Sequence, residues 1–412
     1  MQIIKPDINI DFMGKRNLLM VISAVLLVVC LLPLILRGGP NYGIDFAGGI
    51  LVQVKFAKPT APADIREALK PLGMDDSMVQ PYGHDDDNEY LIRAERPDLK
   101  LEGLGQQISQ ALSAKYGGEG FEVRRLETVG PKVGKDLRQQ ALMAVFFALL
   151  LMAVYISGRF EAKWVLAAVM AGVLIATTLL AHWLLASILG LGDTTVMVLL
   201  IVVALGVTLA ACWVLRLRYA MGAVVSLSHD VLITIGLFSL LDREFNLATV
   251  AAILTIIGYS LNDTIIVYDR IRENLKKDSR ADLIELTNQS VNQTLGRTIL
   301  TGGTTIIVLI VLFFLGGGVL EDFALILLIG VVVGTYSSVY VASPMLLLMP
   351  RSGGLKLSLP QTAPARPAAK PAPRPAPGPE PEEMSDDPNR PATIRRVRGR
   401  TAKVSRSKRK KR

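Results

Sequence analysis

Asp263 sits where an ionised side chain is expensive. It lies in GYSLNDTIIVYDRIREN, Gly258 to Asn274, where an apolar stretch from about Leu247 to Val267 runs straight into Asp269, Arg270 and Arg272. A carboxylate inside a membrane-crossing helix costs about 2.5–3.5 kcal/mol on insertion scales unless it is protonated, paired or wetted. Counting along the chain supplies a partner. The next apolar stretch begins near Leu295 and runs back the other way, so Arg297 enters at nearly the depth of Asp263. Opposite charges at matched depth are a common answer to an intramembrane acid.

Polar residues recur at helical spacing around each charge. Thr255, Tyr259 and Asp263 share one face of the first helix, with Asn262 beside the acid; Arg297, Thr301 and Thr305 share one face of the second. Gly302 and Gly303 permit close backbone approach there. Turned together, these faces form a polar seam able to hold water. An acid that Arg297 alternately locks and releases can change protonation with small rearrangements, as a proton-coupled conformational step requires. The other reading is a static ion pair that fixes helix register. His229 and Asp230, in SLSHDVLI, form a second polar pair, suited either to helix–helix hydrogen bonding or to an accessory place in the relay. His84 and His182 are isolated, and Cys30 and Cys212 lie inside apolar runs as packing or lipid-facing residues. No metal-ligand spacing, phosphate loop, nucleophile motif or dinucleotide fingerprint is present, so no metal, cofactor or enzymatic chemistry is expected.

The elements that position these residues are membrane spans. The 412 residues are 51% hydrophobic with mean hydropathy +0.41, and several stretches of about 20 residues lack charge, which marks a polytopic α-helical membrane protein. Lys15 and Arg16 precede a first span, about Leu18 to Leu36, that is too long for a signal-peptide core and lacks a cleavage-like site, so it is expected to be retained. Further spans are expected near Leu137–Ile156, Trp164–Leu189, Thr194–Leu215, Ala220–Leu241, Leu247–Val267, Leu295–Leu315 and Phe323–Met349, eight in all. The connections Arg159–Lys163, Arg216–Arg218 and Arg270–Lys277 are basic-rich and fall on the cytoplasmic side of that count. Gly190–Asp193, Asp242–Asn246 and Gly316–Asp322 hold only Arg243 as a base and fall on the other, with both termini cytoplasmic.

Between the first two spans, residues 41–135 read as a polar domain. Ile50–Phe56, Met78–Tyr82, Tyr90–Ala94 and Phe121–Thr128 pattern as strands, Ala63–Lys70 and Leu99–Lys115 as helices, with an acidic turn at His84–Glu89. That βαββαβ order predicts a small ferredoxin-like α+β domain across the membrane from Lys15. After the bundle of residues 136–350, residues 351–412 turn Pro- and Ala-rich and then basic: from Arg395 onward there are eleven Lys or Arg and no acid. The net charge of +9 therefore belongs to a disordered tail, either a solvated topology determinant or a docking element for anionic lipid or ribosomal RNA.

Five runs in order, NYGIDFAGGILVQVKF, LETVGPKVGKDL, LSHDVLITIGLFSL, GYSLNDTIIVYDRIREN and NQTLGRTILTGGTT, resemble the SecF branch of the SecD/SecF family of bacterial protein-export membrane proteins, part of the RND superfamily. The resemblance implies an RND-like helix bundle in the bacterial inner membrane that works with SecD beside the SecYEG channel. It implies use of the proton-motive force to help exported preproteins across after the SecA motor has acted. It maps the family's intramembrane acid and arginine onto Asp263 and Arg297, makes residues 41–135 the periplasmic P1 domain, and makes Gly43, Asp45, Gly48 and Gly49 its signature turn. Those glycines suit tight backbone geometry, and Asp45 can cap or turn the chain. The family usually has six spans; about 164–216 here reads as an inserted helical hairpin, two extra crossings that leave the orientation of Asp263 unchanged. Two rival readings are an RND-type proton-coupled exporter of small molecules or lipids and a non-transporting channel scaffold.

Overall fold

The computed structural model describes residues 8–82, 88–94, 104–161, 164–187, 193–278 and 280–349. Most of the acidic turn at His84–Glu89, the expected helix start at Leu99, parts of two connections and the tail at 351–412 lie outside the described residues.

Helix α1 (Arg16–Leu36) leads to a short turn of helix, α2 (Ile44–Ala47), and then to the sheet domain. Its strands are β1 (Gly49–Phe56), β2 (Met78–Tyr82), β3 (Glu89–Ala94) and β4 (Phe121–Val129), with α3 (Pro62–Leu69) after β1 and α4 (Leu104–Tyr116) after β3. The expected βαββαβ order forms, within a residue or two at most boundaries. The sheet runs β2-β3-β1-β4 with every neighbouring pair antiparallel. Alternation along β1 sends Ile50, Val52, Val54 and Phe56 inward against Ile65 and Leu69 of α3 and Ile108 and Leu112 of α4.

The remaining described helices are α5 (Pro131–Glu161), α6 (Trp164–Ser187), α7 (Asp193–Val214), α8 (Arg218–Leu240), α9 (Leu247–Lys277), α10 (Leu283–Leu315), α11 (Gly318–Ser337) and α12 (Ser343–Leu348); a π-helical turn at Ser338–Ala342 joins the last two. Among the described residues six helices are long and apolar enough to cross a membrane: α1, α5, α8, α9, α10 and the run Leu320–Leu348. The expected hairpin forms as α6 and α7, whose apolar stretches, Ala168–Ala181 and Val198–Val214, are shorter.

Helices α9 and α11 approach closely because α11 offers glycines to α9. A Cβ at Gly330 would lie 2.3 Å from Cδ1 of Ile256, and one at Gly334 would lie 2.9 Å from Cβ of Ser260. Ion pairs tie the ends of the bundle. Arg37–Asp242 (3.3 Å), Arg243–Asp322 (3.0 Å) and Arg243–Glu321 (2.9 Å) join connections that the charge pattern assigns to one side, and Arg159–Asp269 (2.9 Å) joins connections assigned to the other. The side chains of Asn288 and Asn292 on α10 also grip the backbone at Ile10 and Phe12 just before α1.

Candidate functional site

Asp263 projects from α9 toward α10 and α11 and is 8% exposed. Its two oxygens are taken separately: Oδ1 accepts from the Thr298 hydroxyl at 2.8 Å and Oδ2 from the Ser338 hydroxyl at 2.9 Å. The fold positions each donor. Gly330 and Gly334 draw α11 onto α9, and the π-helical turn that begins at Ser338 continues that contact past the acid. Wide π turns of this kind recur at functional sites.

One turn before Asp263, the hydroxyl of Ser260 donates to a second buried acid, Asp230 of α8, at 2.5 Å. Ser337 donates to the same oxygen at 2.7 Å, Ser226 donates to Ser337 at 3.0 Å, and His229 Nδ1 lies 2.9 Å from Asp230 Oδ1. Adjacent serines on one turn thus hold two carboxylates, Ser337 on Asp230 and Ser338 on Asp263. His229 is stacked near Tyr336, with ring centroids 6.5 Å apart. The hydrogen bonds that reach this pair from other helices go to Asp230, from Ser260 of α9 and Ser337 of α11.

The expected partnership with Arg297 does not form as an ion pair: no salt bridge within 4.0 Å joins it to Asp263, and Arg297 is exposed. The physical reason is rotation. Counting depth places the right helix beside the acid, but successive residues are about 100° apart around a helix, and Thr298 is the one that faces inward. The expected seam is also split. Tyr259 reaches α10, its hydroxyl donating to the Thr301 carbonyl at 3.0 Å with the Thr305 hydroxyl 3.2 Å away. Thr255 and Asn262 are exposed, and Thr255 bonds back to Ala251 of its own helix at 2.8 Å. Gly302 packs toward Thr335 of α11, whereas Gly303 faces open space. Sequence reasoning missed Thr298, Ser260, Ser337 and Ser338. The available signal was G-V-V-V-G-T-Y-S-S at 330–338, a small-residue packing motif followed by paired hydroxyls.

The signature turn lies far from this acid in sequence and touches the start of its helix. Asp45 Oδ2 accepts the backbone N–H of Leu247, the first residue of α9, at 2.9 Å. Gly43 N–H donates to the Phe245 carbonyl at 2.7 Å, and a Cβ at Gly43 would come within 3.1 Å of that oxygen. Gly48, at φ +77°, lies against Pro131 at the start of α5, and Gly49 opens β1 at φ +123°. Among the described residues no group of three or more His, Cys, Asp or Glu is placed to hold a metal ion.

The arrangement gathers two buried acids, Asp263 held by two hydroxyls and Asp230 by two hydroxyls and the His229 ring. Comparison with known proteins supplies the context. The family model for protein export membrane protein SecD/SecF, C-terminal, matches residues 108–203 and 192–352, and the SecD/SecF GG motif matches residues 34–60. The protein translocase subunit SecF of Magnetococcus marinus is 40% identical over 352 residues, covering 85% of this chain and 94% of the relative. That of Vibrio alginolyticus is 38% identical over 347 residues, covering 84% and 91%. The crystal structure of SecDF, a translocon-associated membrane protein from Thermus thermophilus, superposes with a TM-score of 0.60 at 29% identity over 84% of this chain; the chain spans 39% of that SecDF chain.

Proposed function

The chain belongs to the SecD/SecF family of protein-export membrane proteins, and from that premise we propose that this accessory subunit of the Sec protein translocase couples inward proton flow at Asp263 to movement of its sheet domain. The domain then holds or pulls the emerging preprotein. The carrying observation is the way Asp263 is held. It is buried in a membrane-spanning helix by two neutral hydroxyls rather than locked by a cation, so its charge can change without breaking an ion pair. One charge crossing 100 mV supplies about 2.3 kcal/mol, enough for a conformational bias of that size.

In this reading Arg297, Thr255 and Asn262 lie on a face of α9 and α10 that a partner covers, and the partner is SecD. That the chain matches 39% of a SecDF chain supports such a pairing. The complex acts beside SecYEG, after SecA, in the bacterial inner membrane with both termini in the cytoplasm. The sheet order and antiparallel pairing support a ferredoxin-like reading of the periplasmic domain. For the hairpin α6–α7 we read two further crossings, eight in all. Trp164 and Trp183 sit near opposite ends of α6, are each 59% exposed, and are 19 residues apart, about 28 Å along a helix, which matches an interfacial aromatic pair across a bilayer. The basic tail is read as an anionic-lipid or ribosome contact.

The test is gradient-dependent translocation of a reporter preprotein by inverted vesicles containing the chain with SecD, comparing native protein with Asp263→Asn. Loss of stimulation in an assembled complex is expected. Unchanged stimulation would make Asp263 architectural and favour the scaffold.

A further inference from the structure

We propose that the contact between the signature turn, strand β3 and the α8–α9 connection is the joint through which the sheet domain and the Asp263-bearing helix move as one, with Asp45, Arg93 and Glu244 as its positioning residues. This inference rests on the proton-coupled reading of Asp263 and names the part that carries its output.

Three independent contacts converge within a few residues. Phe245 N–H donates to the Asn41 carbonyl at 2.7 Å and the Phe245 carbonyl accepts from Gly43 N–H at 2.7 Å, so the two segments pair as a one-residue parallel bridge at Tyr42 and Phe245. Arg93, next to last in β3 and 7% exposed, reaches out to Glu244 at 2.9 Å and also donates to the Tyr42 carbonyl. Asp45 caps Leu247 at 2.9 Å, placing a carboxylate on the positive end of α9, where it is favoured. The joint is therefore made of backbone, a half-buried ion pair and a helix cap, all directional.

What it joins matters as much. Gly49 begins β1 immediately after the turn, and Arg93 belongs to β3 beside it, so both central strands of the sheet are tied to the joint. On the other side α9 runs without a break from Leu247 to Lys277. Asp263 lies 16 residues into it, about 24 Å from the cap. A tilt or axial shift of α9 that follows a change at Asp263 acts on Leu247, Glu244 and Phe245, and these grip the domain. Breaking a partly buried pair by removing one member leaves a charge uncompensated, so the joint has a defined register rather than a sliding contact.

The experiment uses the full chain with SecD in proteoliposomes. Nitroxides at Lys58→Cys in the domain and Leu315→Cys at the end of α10, outside the joint and 81% exposed, report their separation with and without a proton gradient, and a reporter preprotein gives the ratio of gradient-stimulated to unstimulated export. Glu244→Ala and Asp45→Ala are each expected to cut that ratio about fivefold or more and to abolish the gradient-dependent change in separation. Asp45→Asn, which keeps a capping oxygen, is expected to retain both. The joint is overturned if assembled Glu244→Ala and Asp45→Ala complexes keep the change in separation, as a merely structural tether would. It is equally overturned if Asp45→Asn is as defective as Asp45→Ala. Asp263→Asn in the same preparation separates the two levels: if it alone abolishes stimulation, only the joint fails, and if it leaves stimulation intact, the underlying reading fails.

Discussion

Gly330→Ala tests whether close packing of α9 on α11 sets the position of Asp263. A methyl at 330 would lie 2.3 Å from Cδ1, 2.4 Å from Cγ1 and 2.8 Å from Cγ2 of Ile256, a side chain 1% exposed and enclosed on all sides. The clash involves both γ carbons, so a rotation of the terminal methyl alone does not relieve it. Overpacking of this kind costs about 1–3 kcal/mol. Helix propensity returns up to about 1 kcal/mol for replacing glycine, which leaves a net loss. Gly303→Ala is the matched control, because a Cβ there meets nothing within 4 Å; it should be neutral or slightly stabilising. Ile256→Ala alone should cost about 2–5 kcal/mol through the cavity it leaves. Combined with Gly330→Ala, it removes the obstructing atoms, so the double variant should be better than the sum of the singles by about 0.5–3 kcal/mol. Unfolding by SDS titration of the detergent-solubilised chain, followed by circular dichroism, measures all four. Equal midpoints for Gly330→Ala and Gly303→Ala, or strict additivity in the double variant, would refute the packing argument.

Thr298→Ala and Ser338→Ala each remove one donor to a buried carboxyl, so each should lower stability by about 1–3 kcal/mol in the same titration, whereas Arg297→Gln, with no ion pair to lose in the isolated chain, should leave the midpoint in place. Arg297→Gln should instead reduce gradient-stimulated export when SecD is present, which the vesicle assay reads. In the sheet domain, a hydrogen bond from Lys115 at 2.5 Å, reinforced by its charge, holds Glu67 below its ordinary value of 4.5. The folded-state value is depressed, so the stabilisation is complete above that ordinary value and is lost as pH falls through the lowered one; Glu67→Gln should flatten the dependence of domain unfolding on acid pH. All three tryptophans, Trp164, Trp183 and Trp213, lie on the hairpin and are more than half exposed. Spin-labelled lipids should therefore quench the intrinsic fluorescence, more strongly from shallow than from midplane labels; the reverse order would count against two crossings.

The sheet domain was legible because strand alternation and short amphipathic helices are local signals: Met78–Tyr82 forms at the expected bounds, and β1 differs by a residue. The cost of Asp263 was legible too, since one charge in an apolar run needs no alignment to notice. Its direct hydrogen-bond partner on α10, Thr298 rather than the neighbouring Arg297, was not legible because depth can be counted along a helix and azimuth cannot. Ser337 and Ser338 escaped notice because a hydroxyl in an apolar stretch bonds back to its own helix as readily as across to another. Asp45 was recognised as a capping residue, but the N–H it caps lies 202 residues away, and no local spacing encodes so distant a partner.

The adjacency of Ser337 and Ser338 has a logical consequence for the two acids. Side chains on consecutive residues share one segment of backbone, so a shift of the main chain at 337–338 moves both hydroxyls, while each also has an acceptor on its own helix, Ser337 the Gly334 carbonyl at 3.1 Å and Ser338 the Thr335 carbonyl at 3.0 Å. Asp230 and Asp263, on different helices, are thereby linked through one short stretch of main chain. The same shift bears unequally on them: Asp263 loses one of its two hydroxyls and keeps Thr298, whereas Asp230 keeps both Ser260 and His229.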